Sequence, residues 1–319
     1  MTIVQGRERA LVATIGVLAL VMAALAPGFY SASNLVDLWL GRLPVLIVAL
    51  GATLTVISGE IDVSVGSMFA IVSVVAGLSS KTGLPLAAVA GVAVFAGATL
   101  GAVNGALVAF FRIPSIVVTL AMMIGLRDGL RWATQGEWVQ DLPDRFQWLG
   151  LSQSIYPLAT GLLAGALLLA LAWAARNVAA GRAIFAVGSN ANAARLAGLN
   201  VAQIKCWTFV LGGALTGVAA LLNSARFNQI PSNTGLGLEM TVIASVIVGG
   251  AAVTGGRATF SGTLLGVVLL GAIGPALTFL GVSAYWERAI QGAIILVAVA
   301  ADALPRIRHT HAALREARA

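Results

Sequence analysis

The residues in this chain best able to do chemistry are a few carboxylates and amides set among apolar runs. Glu60 and Asp62 stand in GEIDVSVGS, with Ser58, Ser64 and Ser67 beside them, where one apolar run ends and the next begins. Glu239 stands in NTGLGLEM at the start of a later run, and Asn104, Thr119 and Asn223 interrupt others. A charge in hydrocarbon costs about 2.5–3.5 kcal/mol on insertion scales, so carboxylates kept at such places have a use. Two uses fit Glu60, Asp62 and Glu239. A carboxylate at a helix N-terminus is stabilised by the free N–H groups and the helix dipole. Alternatively, a broken helix carrying acids and hydroxyls lines a polar path through the bilayer. The serines around Glu60 favour the path for that segment. Asn104, Thr119 and Asn223 fit either a path or hydrogen bonds between helices. Arg127, Asp128 and Arg131 read as a solvated cap, with Asp128 and Arg131 paired at the i, i+3 spacing.

The chemistry that is missing narrows the reading. The only lysines are Lys81 and Lys205, neither following a glycine, so the phosphate-cradling pattern GxxxxGK[ST] is absent. HExxH, GxSxG and CxxC are absent too, and no paired acids within an apolar run mark a proton relay. Cys206 is the single cysteine and reads as a packing residue; His309 and His311 lack the further ligands of a metal site. We therefore expect no catalytic residue, no metal and no cofactor, with energy supplied by a partner.

The elements that must position these groups are helices in a membrane. Of 319 residues, 59% are hydrophobic and 10% charged, against about 25% charged in soluble domains. The mean hydropathy is +0.96. So few charges cannot cover a water-facing surface, which excludes a soluble enzyme and a disordered chain. The net charge of +7 is scattered between apolar runs with no basic face, so it reflects membrane loops rather than nucleic-acid binding. The runs are continuous, which excludes a β-barrel. We expect an all-α polytopic membrane protein of about ten spans, at 10–27, 43–58, 64–80, 86–111, 114–134, 157–175, 206–224, 239–254, 261–280 and 288–304, forming a single transmembrane domain over 1–319 with a tail at 305–319. Placing both termini in the cytoplasm puts twelve Lys and Arg inside and seven outside, which sets the orientation. Loop 135–156 then lies outside and loop 176–205 inside. The inner loop fits either an amphipathic helix on the lipid surface or a docking surface for a cytoplasmic partner. Its segment GSNANAARLAGLN lacks a bulky apolar stripe, which favours docking.

Glycines four apart recur at Gly97, Gly101 and Gly105, at Gly125 and Gly129, at Gly161 and Gly165, at Gly213 and Gly217, and at Gly262 and Gly266. That spacing lets helix backbones approach closely in lipid. An offset of 161 maps Gly101, Gly105 and Pro114 onto Gly262, Gly266 and Pro275, and Gly51 onto Gly212. Spans 2–5 would then repeat as spans 7–10, inverted, as in many transporters.

Four ordered segments carry a resemblance. GEIDVSVGSMFAIVSVVAG at 59–77, IPSIVVTLAMMIGLRDGL at 113–130, GRAIFAVGSNANAARLAGLNVAQIK at 181–205 and GLGLEMTVIASVIVGGAAVTGGRATFSGTLLG at 235–266 resemble the motifs of ribose-type permeases of ATP-binding-cassette importers. Within that family, 136–143, 230–240 and 284–302 look most like autoinducer-2 and rhamnose permeases. Glu60 and Met240 depart from the pattern, where Gly or Asn and Leu are commoner. The resemblance implies an inner-membrane permease for a sugar-like solute, paired with an identical or sister permease, two cytoplasmic ATP-binding subunits and an extracytoplasmic solute-binding protein. It also implies that the loop bearing Gly188, Asn190, Ala193, Ala194, Gly198 and Asn200 presses into the ATPase; the candidates for the path, Glu60, Asp62, Ser64, Asn104, Thr119 and Glu239, come from their own placement among the apolar runs. A self-contained ion-coupled carrier is the alternative, and it would need a coupling-ion site near mid-membrane.

Overall fold

The computed structural model describes residues 2–283, 285–294 and 296. Eleven helices run in chain order among them: α1 Thr2–Leu25, α2 Ala32–Ile57, α3 Val65–Lys81, α4 Leu86–Ala109, α5 Ser115–Thr134, α6 Tyr156–Asn177, α7 Ala179–Ser189, α8 Ala191–Leu196, α9 Val201–Ser224, α10 Leu238–Val248 and α11 Phe260–Phe279. Six of them (α1, α2, α4, α6, α9 and α11) are long and apolar enough to cross a membrane, while α3 and α10 are apolar but shorter. Residues 286–294 are also helical. The rest of the tenth expected span and the tail with His309 and His311 lie outside the described residues.

Helix α2 is the centre of the bundle. It is buried all round from Leu43 to Ile57, as its unbroken apolar sequence requires. Helices α3, α9, α10 and α11 pack on it or on one another, and α4 lies along α9. The outward faces of α1, α4 and α6 expose Val17, Leu20, Phe95, Leu158, Leu169 and Trp173. Such a ring of bare apolar side chains is stable only against lipid.

Where the backbones touch, glycine is the reason. A Cβ on Gly97 or Gly101 of α4 would collide with the carbonyl oxygen of Gly213 or Phe209 on α9, and one on Gly105 would lie 2.8 Å from the Cys206 carbonyl oxygen. By contrast, Gly125, Gly129 and Gly165 have nothing within 4 Å of a built Cβ. Their spacing matches the seam glycines, but they face outward.

Three of the four helix pairs of the expected repeat are seen in the packing, and the fourth, α5 against the tenth span, falls largely outside the described residues. Gly51 of α2 meets Gly212 of α9; Ser58 and Thr208, then Glu60 and Lys205, follow in reversed order, so the two helices are antiparallel. Helix α4 lies on α9 as α11 lies on α2, and α3 contacts α4 as α10 contacts α11. Exchanging α2–α4 with α9–α11 therefore reproduces the arrangement. The residue offset does not hold throughout. Pro114 precedes α5, whereas Pro275 lies inside α11, and Gly262 and Gly266 face Gly249 and Ser245 of the α10 segment rather than the first helix of the other copy. The reason is a longer connection before α10 (225–237) than before α3 (58–64), which shifts the register between the copies.

That longer connection re-enters the bundle. Ile230 exchanges both backbone hydrogen bonds with Val139 and packs over Gly77 of α3, while Gly235 lies against Gly66, three turns further down the same helix. The expected eighth span, 239–254, is instead the eleven-residue α10, about 16 Å long at 1.5 Å per residue. That is about half of a ~30 Å hydrocarbon core. Glu239 thus starts its helix near the middle of the bundle, not at its outer edge.

Candidate translocation path and coupling end

One end of the bundle gathers the end of α2, the segment α7–α8 and the loop 251–259. The free carbonyl of Ile57, left over at the C-terminus of α2, accepts from Gly256 N at 2.9 Å. Gly188 of α7 sits so close to the same carbonyl that any side chain would overlap it, and Gly255 packs between Gly59 and Gly188. The smallness of Gly188 therefore serves contact within the chain, and it fastens α7 to the central helix. Asn190 ends α7 and caps α8, its side-chain oxygen accepting from the backbone of Asn192 and Ala193 at 3.0 Å. Asn200 caps α9 in the same way through Gln203 N at 3.1 Å. Ala194 is buried with Val187 and Val201, whereas Ala193 and Gly198 are exposed. Leu196, at the tip of α8, is 91% exposed.

Beside this segment, Lys205 of α9 donates to the Glu60 carboxylate. The pair lines an open cleft with Arg112, Arg195, Gly198, Asn200 and Pro114. Among the described residues that line it, Glu60 is the single acid, against three cations.

Three of the expected path residues come together one turn deeper. The Asp62 carboxylate accepts from Ser64 N at 2.9 Å and from Ser64 Oγ at 2.6 Å. Asn104 Nδ2 on α4 donates to Ser64 Oγ at 2.7 Å and reaches Asp62 Oδ2 at 3.5 Å. All three are buried, with Asp62 only 5% exposed. Thr119 on α5 joins through the backbone, donating to Ser115 O at 2.8 Å and lying 3.4 Å from Ile61 O, while Ser115 Oγ accepts from Ile61 N. Asp62 does not cap α3, whose N-cap is Ser64 and carries no side-chain cap hydrogen bond; its carboxylate holds the turn before the helix, which Ser64 and Asn104 tie to α4.

Glu239 stands apart from this group. It is 6% exposed and lies against Gly66, in space that any side chain at 66 would occupy. Its neighbour is Arg127, whose Nη2 is 3.7 Å from Glu239 Oε2. Arg127 Nε donates to Ser67 Oγ at 3.2 Å, and Ser67 Oγ donates to Met123 O at 2.7 Å. The reading of Arg127, Asp128 and Arg131 as one solvated cap therefore divides. Asp128 and Arg131 form an exposed i, i+3 pair at 4.0 Å, whereas Arg127 turns inward. The signal was present in the sequence: Ser115, Thr119, Met123 and Arg127 recur every four residues and so share the face of α5 that meets α3.

At the opposite end, loops 135–155 and 225–237 close over α3. Trp148 N donates to Ala225 O, Tyr156 Oη donates to Leu222 O at 2.6 Å, and Lys81 Nζ donates to Gln140 O at 2.9 Å. The two ends thus differ: one is a lid of interlocked loops, the other a short helical elbow with exposed apolar and basic side chains.

An all-α membrane bundle with an internal inverted repeat, a half-length helix and buried polar side chains defines a polytopic permease. Residues 34–299 match the family described as branched-chain amino acid transport system / permease component, and the chain belongs to that family. It is 38% identical over 298 residues to the probable ABC transporter permease protein YphD of Escherichia coli K12, covering 93% of this chain and 90% of that one. It is 33% identical to the ribose import permease protein RbsC of the same strain, covering 92% and 93%. It is 37% identical over 254 residues to the autoinducer 2 import system permease protein LsrC of Yersinia pseudotuberculosis serotype O:1b, covering 79% and 72%. No solved structure matches the chain.

Proposed function

We propose that this chain is the membrane subunit of an ATP-driven importer for a small, uncharged, sugar-like solute, working as a single domain in a pair of permeases. The observation that carries the reading is the fastening of α7 to α2 through Gly188, the Ile57 carbonyl and Gly256. A push on the α7–α8 elbow is delivered directly to the helix around which the bundle is built. The similarity to permeases named for ribose and autoinducer 2 supports the solute class.

In this reading the elbow faces the cytoplasm, both termini lie on that side of a bacterial inner membrane, and the loop lid faces outward toward a solute-binding protein. ATP is hydrolysed in separate cytoplasmic subunits, which receive Asn190, Ala193, Leu196, Gly198 and Asn200. Gly188 and Ala194 shape the elbow from behind. ATP binding closes the partner pair, the elbow moves, and the helices rock around the path. Glu60, Asp62, Ser64, Asn104 and Thr119 line or brace the inner mouth, and Glu239 stands deeper. Affinity inside the path is weak, because the external protein does the selecting.

Reconstitution tests this. Proteoliposomes holding the chain with its ATP-binding and solute-binding partners should take up sugar only with ATP. Leu196→Asp should abolish uptake and co-purification of the ATP-binding subunit while leaving the chain folded, since Leu196 touches little of its own protein. Uptake by the chain alone under an ion gradient would replace this reading with the ion-coupled carrier. In a Cys206→Ser background, Asn192→Cys should react with an impermeant thiol reagent only from the cytoplasmic side, and Gln140→Cys only from outside; the reverse pattern would invert the topology.

A further inference from the structure

The contact between Arg127 and Glu239 is built with care and left open. Glu239 fits into the space left by the missing side chain of Gly66, and Arg127 is held by Ser67, which is itself anchored on Met123 O. Yet the two charged groups stop 3.7 Å apart, beyond hydrogen-bonding range, and both Arg127 Nη2 and Glu239 Oε2 are buried without a hydrogen-bond partner. Leaving charged groups unsatisfied in this way is costly. Charge-assisted pairs in direct hydrogen-bond contact stand about 2.8 Å apart, so this ion pair leaves a gap between its two charged atoms.

We propose that Arg127 and Glu239 form a recognition point for an uncharged, hydroxyl-bearing solute about halfway along the bundle. The proposal deepens the importer reading and rests on it for the direction of transport, though not for occupancy of the site. A single hydroxyl is both donor and acceptor, so its oxygen can sit about 2.8 Å from each atom, accepting from Nη2 and donating to Oε2. The pair carries no net charge, so a neutral polyol adds none to the interior, whereas a charged solute would bring an uncompensated charge into the bundle. The half-length of α10 is what brings its first-turn carboxylate to this depth.

The test uses the full chain in lipid nanodiscs, in a Cys206→Ser background, with a cysteine at position 123, where the backbone carbonyl that anchors Ser67 is kept. Modification by a small water-soluble maleimide is timed with and without 100 mM D-ribose, L-rhamnose, D-xylose or D-galactose, and with D-ribose 5-phosphate and D-glucosamine as charged controls. We expect the cysteine to react, and at least one neutral sugar to slow the reaction threefold or more while the charged sugars do not. Glu239→Gln and Arg127→Lys should each bring the ratio of the rates with and without sugar, taken within each variant, back to one. An unreactive cysteine, reaction unaffected by every neutral sugar, equal protection by the charged sugars, or protection that survives both substitutions would each overturn the proposal. The assay needs no ATP-binding partner, so a failure of the importer reading appears separately, as absent ATP-driven uptake.

Discussion

Gly51 of α2 and Gly212 of α9 meet backbone to backbone at the centre of the bundle. A Cβ added to Gly51 would lie 2.9 Å from Gly212 Cα and 3.2 Å from its carbonyl oxygen, whereas one added to Gly212 would lie 3.7 Å from the Gly51 oxygen. The contact is thus asymmetric, although it joins corresponding helices of the two copies.

The asymmetry predicts opposite outcomes for the same substitution. Gly51→Ala should destabilise the chain by about 1–3 kcal/mol, because helices already in contact must part. Gly212→Ala meets only ordinary contact and gains up to about 1 kcal/mol of helix propensity, so it should be neutral or stabilising. Thermal unfolding of the two variants in detergent checks this; equal effects would refute the central contact.

The same logic separates glycines that look alike in the sequence. Gly97→Leu should leave no folded chain, since its side chain would have to pass through the Gly213 carbonyl oxygen. Gly125→Leu should leave the fold of the single chain intact, since nothing lies within 4 Å. Size-exclusion profiles of the two solubilised variants give the answer.

These glycines also mark what the sequence could and could not disclose. Apolar runs located the membrane helices to within a few residues at most ends, because about 20 consecutive apolar residues have no other stable placement. The carboxylates announced themselves because charge among such runs is expensive. The depth of Glu239 was hidden, since it depends on loop 225–237 turning back along α3, and its glycines signal a turn but not a direction. The inward turn of Arg127 is masked for a related reason: its charged neighbours Asp128 and Arg131 are solvated, and only the four-residue stripe from Ser115 points inward. The packing partners Lys205 for Glu60 and Ile57 for Gly188 join segments more than a hundred residues apart, beyond the reach of local pattern.

Asn104 supplies the donor that the Asp62–Ser64 turn lacks. Asn104→Asp replaces it with a second carboxylate beside Asp62, so the cost should reach about 3–5 kcal/mol, as for a buried charge deprived of its partner. Asn104→Leu removes the donor without adding charge and should cost less, about 1–3 kcal/mol. Folded yield in detergent should therefore rank wild type, then Leu, then Asp; an aspartate variant as stable as wild type would show that the cluster is not as closed as its hydrogen bonds indicate.

The Glu60–Lys205 pair joins the turn between α2 and α3 to the first helical residues after the elbow, and its surroundings make the two partners unequal. Lys205→Met leaves the Glu60 carboxylate with Arg112 and Arg195 lining the same cleft, so part of its compensation persists. Glu60→Gln leaves three cations with no acid among them. Glu60→Gln should therefore be the more damaging, and the exchange Glu60→Lys with Lys205→Glu should recover most of the loss, with a coupling of about 0.5–3 kcal/mol in a double-mutant cycle of thermal stability. Function adds a second readout. If the pair transmits elbow motion to the inner mouth, Glu60→Gln in the reconstituted importer should lower ATP-driven uptake several-fold while ATP hydrolysis falls less. Uptake and hydrolysis falling in step would limit the pair to holding the fold together.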